Sequence, residues 1–224
     1  MATQLDLQEQ EQLDEFKAFW KQYGNLIIWV VTLALAGFAA FNGWNWWQRD
    51  QGAKASAMYD ALVQAAQAGD AERATRVFAD LKDRYGRTVY AQQGGLLAAR
   101  VQHEKQQADA ALTTLAWVAD SAVEDEYRSV ARLRAAGILL DKQRYDDALK
   151  QLDDAKAPTF AALVADRRGD VLRAQGKPAE ARAAYEVAYG AMAPTVEYRR
   201  LIEAKLAARG AAPAATPAAG GASQ

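Results

Sequence analysis

The 224-residue chain contains no cysteine and a single histidine. The absence of cysteine excludes disulfides, thiolate metal sites and cysteine nucleophiles. His103 lies among polar residues at the predicted end of a helix, where a general base would lack the enclosed partners that tune its pKa. Carboxylates alone remain as abundant metal ligands. We therefore predict no catalytic, cofactor-binding or metal-binding residue and no enzymatic activity.

Clustered positive charge is also lacking. The chain carries 27 Lys and Arg residues against 28 Asp and Glu residues, with a net charge of −3 in residues 1–25 and +2 in residues 48–224. Nucleic-acid binding requires clustered Lys and Arg, so we expect no nucleic-acid partner. The arginine pairs at 167–168 and 199–200 are typical of solvated helix faces.

One long segment, residues 26–47, has no charged residue at all. At about 1.5 Å per residue, a helix of this length reaches roughly 33 Å, enough to cross a bilayer core of about 30 Å. Tryptophans at 44, 46 and 47 fall where an aromatic belt is expected at a membrane boundary. We predict a transmembrane helix over 26–47, preceded by an acidic segment over 1–25.

Two aspects of this anchor remain open from the residues alone. The sequence at 34–36 resembles a signal-peptidase site, although the acidic preceding segment and the apolar residues beyond it favour an uncleaved anchor. Lys17 and Lys21 precede the span and Arg49 and Lys54 follow it, so the positive charges do not decide its orientation.

Aromatic and apolar residues recur at helical spacing just before the span. The series Leu13, Phe16, Trp20 and Tyr23 predicts an amphipathic juxtamembrane helix that lies on lipid headgroups. The alternative is a docking helix for a membrane partner.

The remainder of the chain predicts an all-α fold built from an internal repeat. Ala74, Ala111, Ala148 and Ala181 occur in similar contexts at spacings of 37, 37 and 33 residues. Each is followed four residues later by a large side chain (Phe78, Leu115, Leu152 and Tyr185). This period is close to the 34 residues of a tetratricopeptide repeat, so we predict a tetratricopeptide-like α-solenoid of about four helical hairpins over 48–209. The alternative is a generic alanine-rich bundle.

Punctuating residues predict where the helices begin and end. We expect N-caps at Asp70 and Thr159, a capping box over 121–124, and first helical turns at Pro178 and Pro194. In the last repeat we expect a close helix approach at Gly169 and a turn at Gly176. Alanines 53, 57, 61 and 65, with Met58 and Leu62 beside them, predict one apolar face that continues helically from the anchor. Residues 210–224 have no charge and no large apolar side chain, so we predict that they are disordered.

Several stretches together resemble the YfgM family of Gram-negative bacteria, the ancillary subunit of the SecYEG translocon. They are the acidic start over 12–21, the end of the span over 43–47, the helix over 55–59 and the stretch over 160–170, which reads FAALVADRRGD. The resemblance covers roughly residues 10–207.

This resemblance implies an inner-membrane protein with its N-terminus in the cytoplasm and its repeat domain in the periplasm. It implies association with SecYEG and with the membrane-anchored periplasmic chaperone PpiD, and a role in assisting newly exported polypeptides. A solenoid groove suits such binding, and a membrane tether raises its effective concentration near membrane partners. The alternatives are a binding module of cytochrome maturation or outer-membrane assembly, and an enzyme that uses the scattered carboxylates.

Overall fold

The computed structural model describes residues 7–208, and their side chains from residue 13 onward. In this range the regular secondary structure is helical, which confirms the predicted all-α class. The α-helices are α1 (Leu7–Gln67), α2 (Ala71–Tyr85), α3 (Val89–Glu104), α4 (Ala108–Ser121), α5 (Asp125–Asp141), α6 (Tyr145–Asp154), α7 (Ala161–Ala174), α8 (Pro178–Ala191) and α9 (Tyr198–Ala207). A short 3-10 helix, Pro158–Phe160, precedes α7. The disorder predicted for 210–224 lies outside the described residues.

The chain divides into two compact units, residues 1–51 and 52–224. The first unit contains the apolar part of α1, whose large side chains are exposed, among them Phe38 and Trp46. Within the described residues, one helix is long and apolar enough to cross a membrane, with a mean hydropathy of 2.0 in its most apolar window. The Asn42 side chain donates a hydrogen bond to the Phe38 carbonyl at 2.9 Å, which satisfies its amide inside the apolar segment.

The second unit contains the repeats, which pair the C-terminal part of α1 with α2, α3 with α4, α5 with α6 and α7 with α8. The four aligned alanines are at most 1% exposed and the four large side chains that follow them at most 5%. The predicted hairpin register is therefore confirmed. Helix α9 follows the fourth hairpin and packs on α8.

All four hairpins turn with the same backbone geometry. The residue five positions before each alanine has a positive φ, and these residues are Gly69, Gln106, Gln143 and Gly176, at 65°, 61°, 58° and 78°. The following backbone N–H donates to the carbonyl five residues earlier, as Lys177 does to Leu172 at 3.0 Å. This pattern is the Schellman C-cap, which favours glycine because a side chain strains the left-handed backbone. The turn predicted at Gly176 is confirmed.

Small residues let the two helices of a hairpin approach closely. A Cβ placed on Gly169 would lie 2.5 Å from Cε1 of Tyr185, so the tyrosine ring occupies the space that a side chain would need. In the first hairpin, Leu62 occupies the position equivalent to Gly169. The space for its side chain comes from Gly94 of α3, which has no side chain of its own. A Cβ on Gly94 would lie 3.1 Å from Cδ2 of Leu62.

The helix boundaries confirm some of the predicted caps. The Asp70 side chain accepts a hydrogen bond from the Arg73 backbone N–H at 2.9 Å. Pro178 is the first residue of α8.

Three other boundary predictions are wrong. Thr159 lies inside the 3-10 helix, and α7 begins after it. Ser121 is the last residue of α4 and caps nothing, since α5 begins at Asp125 with acidic residues in its first turn. Pro194 lies in the turn before α9, because that helix begins only at Tyr198. Proline suits either place, since both need only its fixed φ.

The apolar face predicted at the end of α1 is also partly wrong. Leu62 and Ala65 are fully buried as predicted, whereas Ala53 and Ala57 are exposed and Ala55 is buried instead. A spacing of four drifts around a helix of 3.6 residues per turn, so the buried face follows alternating steps of three and four.

Replacing a buried alanine at a helix crossing tests the repeat register. We expect Ala181→Trp to lower the free energy of unfolding by about 3 kcal/mol, because the bulky ring would separate α7 from α8. The matched control is Ala183→Trp on the exposed face of the same helix, which should change stability by less than about 0.5 kcal/mol. Thermal unfolding followed by circular dichroism measures both, and equal melting temperatures for the two variants would contradict the register.

Candidate functional site

The repeat domain contains a groove that runs across the first helices of three hairpins, α3, α5 and α7. Its volume is about 590 Å³. Helix α5 contributes side chains at successive spacings of three and four, which is one helical face. The lining residues on the three helices and on the turn before α7 include Arg100, His103, Val130, Leu133, Arg134, Gly137, Asp141, Phe160, Leu163, Asp166 and Arg167.

The floor of the groove is apolar and belongs to the core. Leu115 of α4 is 1% exposed and Ile138 of α5 is 6% exposed, and both belong to one buried cluster with Val118 and Ala131. Because the floor is held by the packing between hairpins, the groove is preformed rather than created by loop movement.

Three arginines line this apolar floor. The Arg134 guanidinium donates a hydrogen bond to the Leu96 carbonyl at 2.9 Å, which positions it between α3 and α5. Partial burial lowers the pKa of Arg134, and the positive charge of Arg100 contributes a smaller decrease. Arg100 lies 3.5 Å from a carboxylate oxygen of Glu104, and Arg167 lies 3.9 Å from Asp170.

A buried ionic network closes the α7 end of the groove. The Lys205 ammonium of α9 donates to both carboxylate oxygens of Asp166 at 2.8 Å and lies within 3.0 Å of Asp170. The Tyr198 hydroxyl donates to Asp166 and the Tyr185 hydroxyl to Asp170, each at 2.8 Å. Desolvation, and then the bond to Asp166, raise the pKa of Tyr198 to about 12. This network joins α9 to α7 and α8, and Asp166 and Tyr198 also line the groove.

The N-terminal unit carries a separate exposed surface. Phe16 stacks on Trp20 with ring centroids 6.3 Å apart, and Phe19 lies against Tyr23 at 5.1 Å. All four side chains are at least 42% exposed. The aromatic series predicted to contact headgroups or a partner helix is therefore on the surface of α1.

The structure places the other residues singled out in the sequence as follows. His103 is exposed in the last turn of α3, at the margin of the groove. The arginine pairs are not simple solvated faces. Arg168 bonds Asp153 at 2.5 Å, and the Arg199 guanidinium lies 4.0 Å from the centre of the Tyr189 ring.

The sequence did not single out Arg100 or Arg134 as groove residues, although the repeat pattern contains a signal for Arg134. Arg134 lies two residues before Ala136, and Arg167 lies two residues before Gly169. Ala136 and Gly169 are equivalent residues, each twelve positions before an aligned alanine. Arg134 and Arg167 are thus equivalent residues of successive repeats, and comparing the first helices of the hairpins would have paired them.

The paired helices in register, with a groove across the first helix of each of three hairpins, define a tetratricopeptide-type helical-repeat protein. The family model for a tetratricopeptide repeat-like domain matches residues 17–211. Three relatives are named as ancillary SecYEG translocon subunits. That of Neisseria gonorrhoeae is 30% identical and the match covers 89% of this chain and 96% of the relative. That of Escherichia coli is 29% identical, covering 80% and 85%, and that of Haemophilus influenzae is 27% identical, covering 81% and 89%. The chain belongs to this family, as the resemblance of its sequence implied.

Removing the cation from the buried network should destabilise the C-terminal end of the repeat domain. Lys205 and Asp166 have side-chain exposures of 16% and 3%. We expect Lys205→Met to lower the free energy of unfolding by about 3 kcal/mol, because it leaves a buried carboxylate without its charge partner. Chemical denaturation measures the change.

The matched control is Lys142→Met, which breaks the 2.7 Å pair between Lys142 and the exposed Asp109. That pair is solvated, so its loss should have a much smaller effect. Equal losses in the two variants would contradict a stabilising role for the buried network.

Proposed function

We propose that the chain is a membrane-anchored adaptor of the SecYEG translocon that assists newly exported polypeptides through protein–protein contacts and has no enzymatic activity. The observation that carries this proposal is a preformed, apolar-floored groove in a chain that also has an exposed apolar helix. The names of the relatives, which match most of the chain, support the translocon as the partner.

The dimensions of the groove suit a short peptide segment. Three adjacent helix axes about 9 Å apart span roughly 18 Å, and an extended chain advances about 3.3 Å per residue. A segment of about five or six residues would therefore cross the groove. Its apolar floor can bury hydrophobic side chains of an incompletely folded chain, which are the side chains that a newly translocated polypeptide exposes.

A membrane tether makes modest affinity sufficient. Confinement near the exit of a membrane channel raises the effective concentration of the groove for chains that emerge there. We propose the topology that this requires, with residues 1–25 in the cytoplasm, 26–47 across the inner membrane and 48–209 in the periplasm. PpiD, the chaperone implied by the sequence resemblance, is the second partner that we propose.

The absence of cysteine makes the topology directly testable. Single-cysteine variants Ala18→Cys in the N-terminal unit and Ala183→Cys in α8 place one thiol in each unit, and both sites are exposed. We expect a membrane-impermeant maleimide to label position 183 in intact cells, and position 18 only after the inner membrane is permeabilised. The reverse pattern would contradict the proposed orientation, and labelling of both sites in intact cells would contradict a span between them.

Photocrosslinking in native membranes tests the partners. We propose a photoreactive residue at Gly137, where a Cβ would lie 3.8 Å from the Arg167 guanidinium inside the groove. The matched control is Gly190 on α8, which is exposed and does not line the groove. We expect mass spectrometry to identify SecYEG subunits, PpiD or exported chains at position 137 and not at 190. Capture of a different envelope complex at position 137, or the same capture at both positions, would refute this assignment.

A further inference from the structure

The groove contains an arginine, Arg134, that pairs with no described carboxylate, whereas Arg100 lies 3.5 Å from Glu104 and Arg167 lies 3.9 Å from Asp170. The arginines that line the groove are Arg100, Arg134 and Arg167, whereas its lining carboxylates are Asp141 and Asp166. Asp166 is already held by Lys205 and Tyr198, so its charge is compensated behind the groove wall. Asp141 is the last residue of α5 and is exposed at the margin.

Arg134 occupies the central position among these cations. Among the described residues it forms no ion pair with a carboxylate, and its one described hydrogen bond leads to the neutral Leu96 carbonyl. Arg100 lines the same groove. Burial lowers the pKa of Arg134, and the charge of Arg100 lowers it further. Two like charges that line one groove repel each other, and a bound anion would relieve that repulsion.

The geometry also favours an anion with a planar, two-oxygen head. Guanidinium groups bind carboxylates through two parallel hydrogen bonds, and Arg100 and Arg134 are both exposed and so accessible to such a ligand. The apolar floor beneath Arg134, formed by Leu115 and Ile138, requires hydrophobic groups on the same ligand. A peptide with alternating apolar and acidic side chains supplies both, since its neighbouring side chains project to opposite sides.

From this arrangement we propose that the groove selects apolar peptide segments that carry Asp or Glu, with the carboxylate bound between Arg100 and Arg134. This inference rests on the proposed function, because it names the class of segment that the same groove binds. Segments with basic residues at that position would be rejected by the like charge of the arginines.

Fluorescence anisotropy with the full-length chain in phosphatidylcholine nanodiscs tests the selection. The probes are three fluorescein-labelled hexapeptides, Leu-Leu-Glu-Phe-Glu-Leu and its counterparts with both Glu replaced by Gln or by Lys. We expect the Glu peptide to bind about tenfold more tightly than the Gln peptide, and the Lys peptide to bind more weakly than either. Raising the salt concentration should reduce the difference.

Variants assign the selection to the arginines. Arg134→Gln and Arg100→Gln should each remove most of the preference for Glu over Gln. Arg182→Gln, an exposed arginine of α8 outside the groove, is the matched control and should retain it. Arg100 is 58% exposed, so its variant is informative even if Arg134→Gln unfolds the domain through loss of the Leu96 bond.

Three results would overturn the inference. One is equal binding of the Glu and Gln peptides, or no binding of either. Another is a Glu preference that survives in both arginine variants. The third is loss of that preference in nanodiscs containing phosphatidylglycerol, which would identify a lipid headgroup as the anion in the groove.

These outcomes are separable from failure of the proposed function. Capture of SecYEG subunits at position 137 together with equal binding of the Glu and Gln peptides would overturn the selection alone. A Glu preference without any such capture would refute the translocon assignment while leaving the chemistry of the groove intact.

Discussion

The repeat domain depends on how closely two helices of a hairpin can cross. Each hairpin places an alanine with no more than 1% exposure at the crossing, and a large side chain one turn later fills the space between hairpins. The tightest case is Gly169, because the ring of Tyr185 occupies the volume of the missing Cβ. Close crossings keep successive first helices adjacent, and the groove lies across those helices. A larger residue at a crossing would therefore change both stability and the shape of the groove.

Buried polar bonds fix the positions that apolar packing alone would leave adjustable. The Gln102 side chain, 2% exposed, bonds Thr75 at 3.0 Å and Thr114 at 2.9 Å, and so joins α2, α3 and α4. Ser129, 1% exposed, accepts a bond from the Ala157 backbone N–H at 3.0 Å and holds the turn before α7 on α5. The Asp166 network then secures α9. Each bond satisfies a group that would be costly to bury alone, so each favours one arrangement of neighbouring helices.

The stretch that carried much of the family resemblance, residues 160–170, has a structural explanation. It contains the crossing residue Gly169, the two carboxylates that hold Lys205, and one arginine of the groove. Five consecutive residues of α7, 166–170, thus join the core, the attachment of α9 and the proposed ligand surface. The N-terminal unit differs in kind, since its apolar side chains are exposed and require a lipid or protein environment.

Composition and periodicity by themselves determined the all-α class, the apolar anchor segment and the alanine register, because these follow from helical spacing and side-chain volume along the chain. The left-handed turns at Gln106 and Gln143 were not predicted, since glutamine carries no local signal for positive φ. The capping box at 121–124 was predicted wrongly, because a cap depends on where the preceding helix ends. Only the tertiary structure decided that Arg100 and Arg134 share one groove and that Asp166 is compensated by Lys205, 39 residues away. Those pairings arise between helices, and the chain order of one sequence does not specify which distant charges will meet.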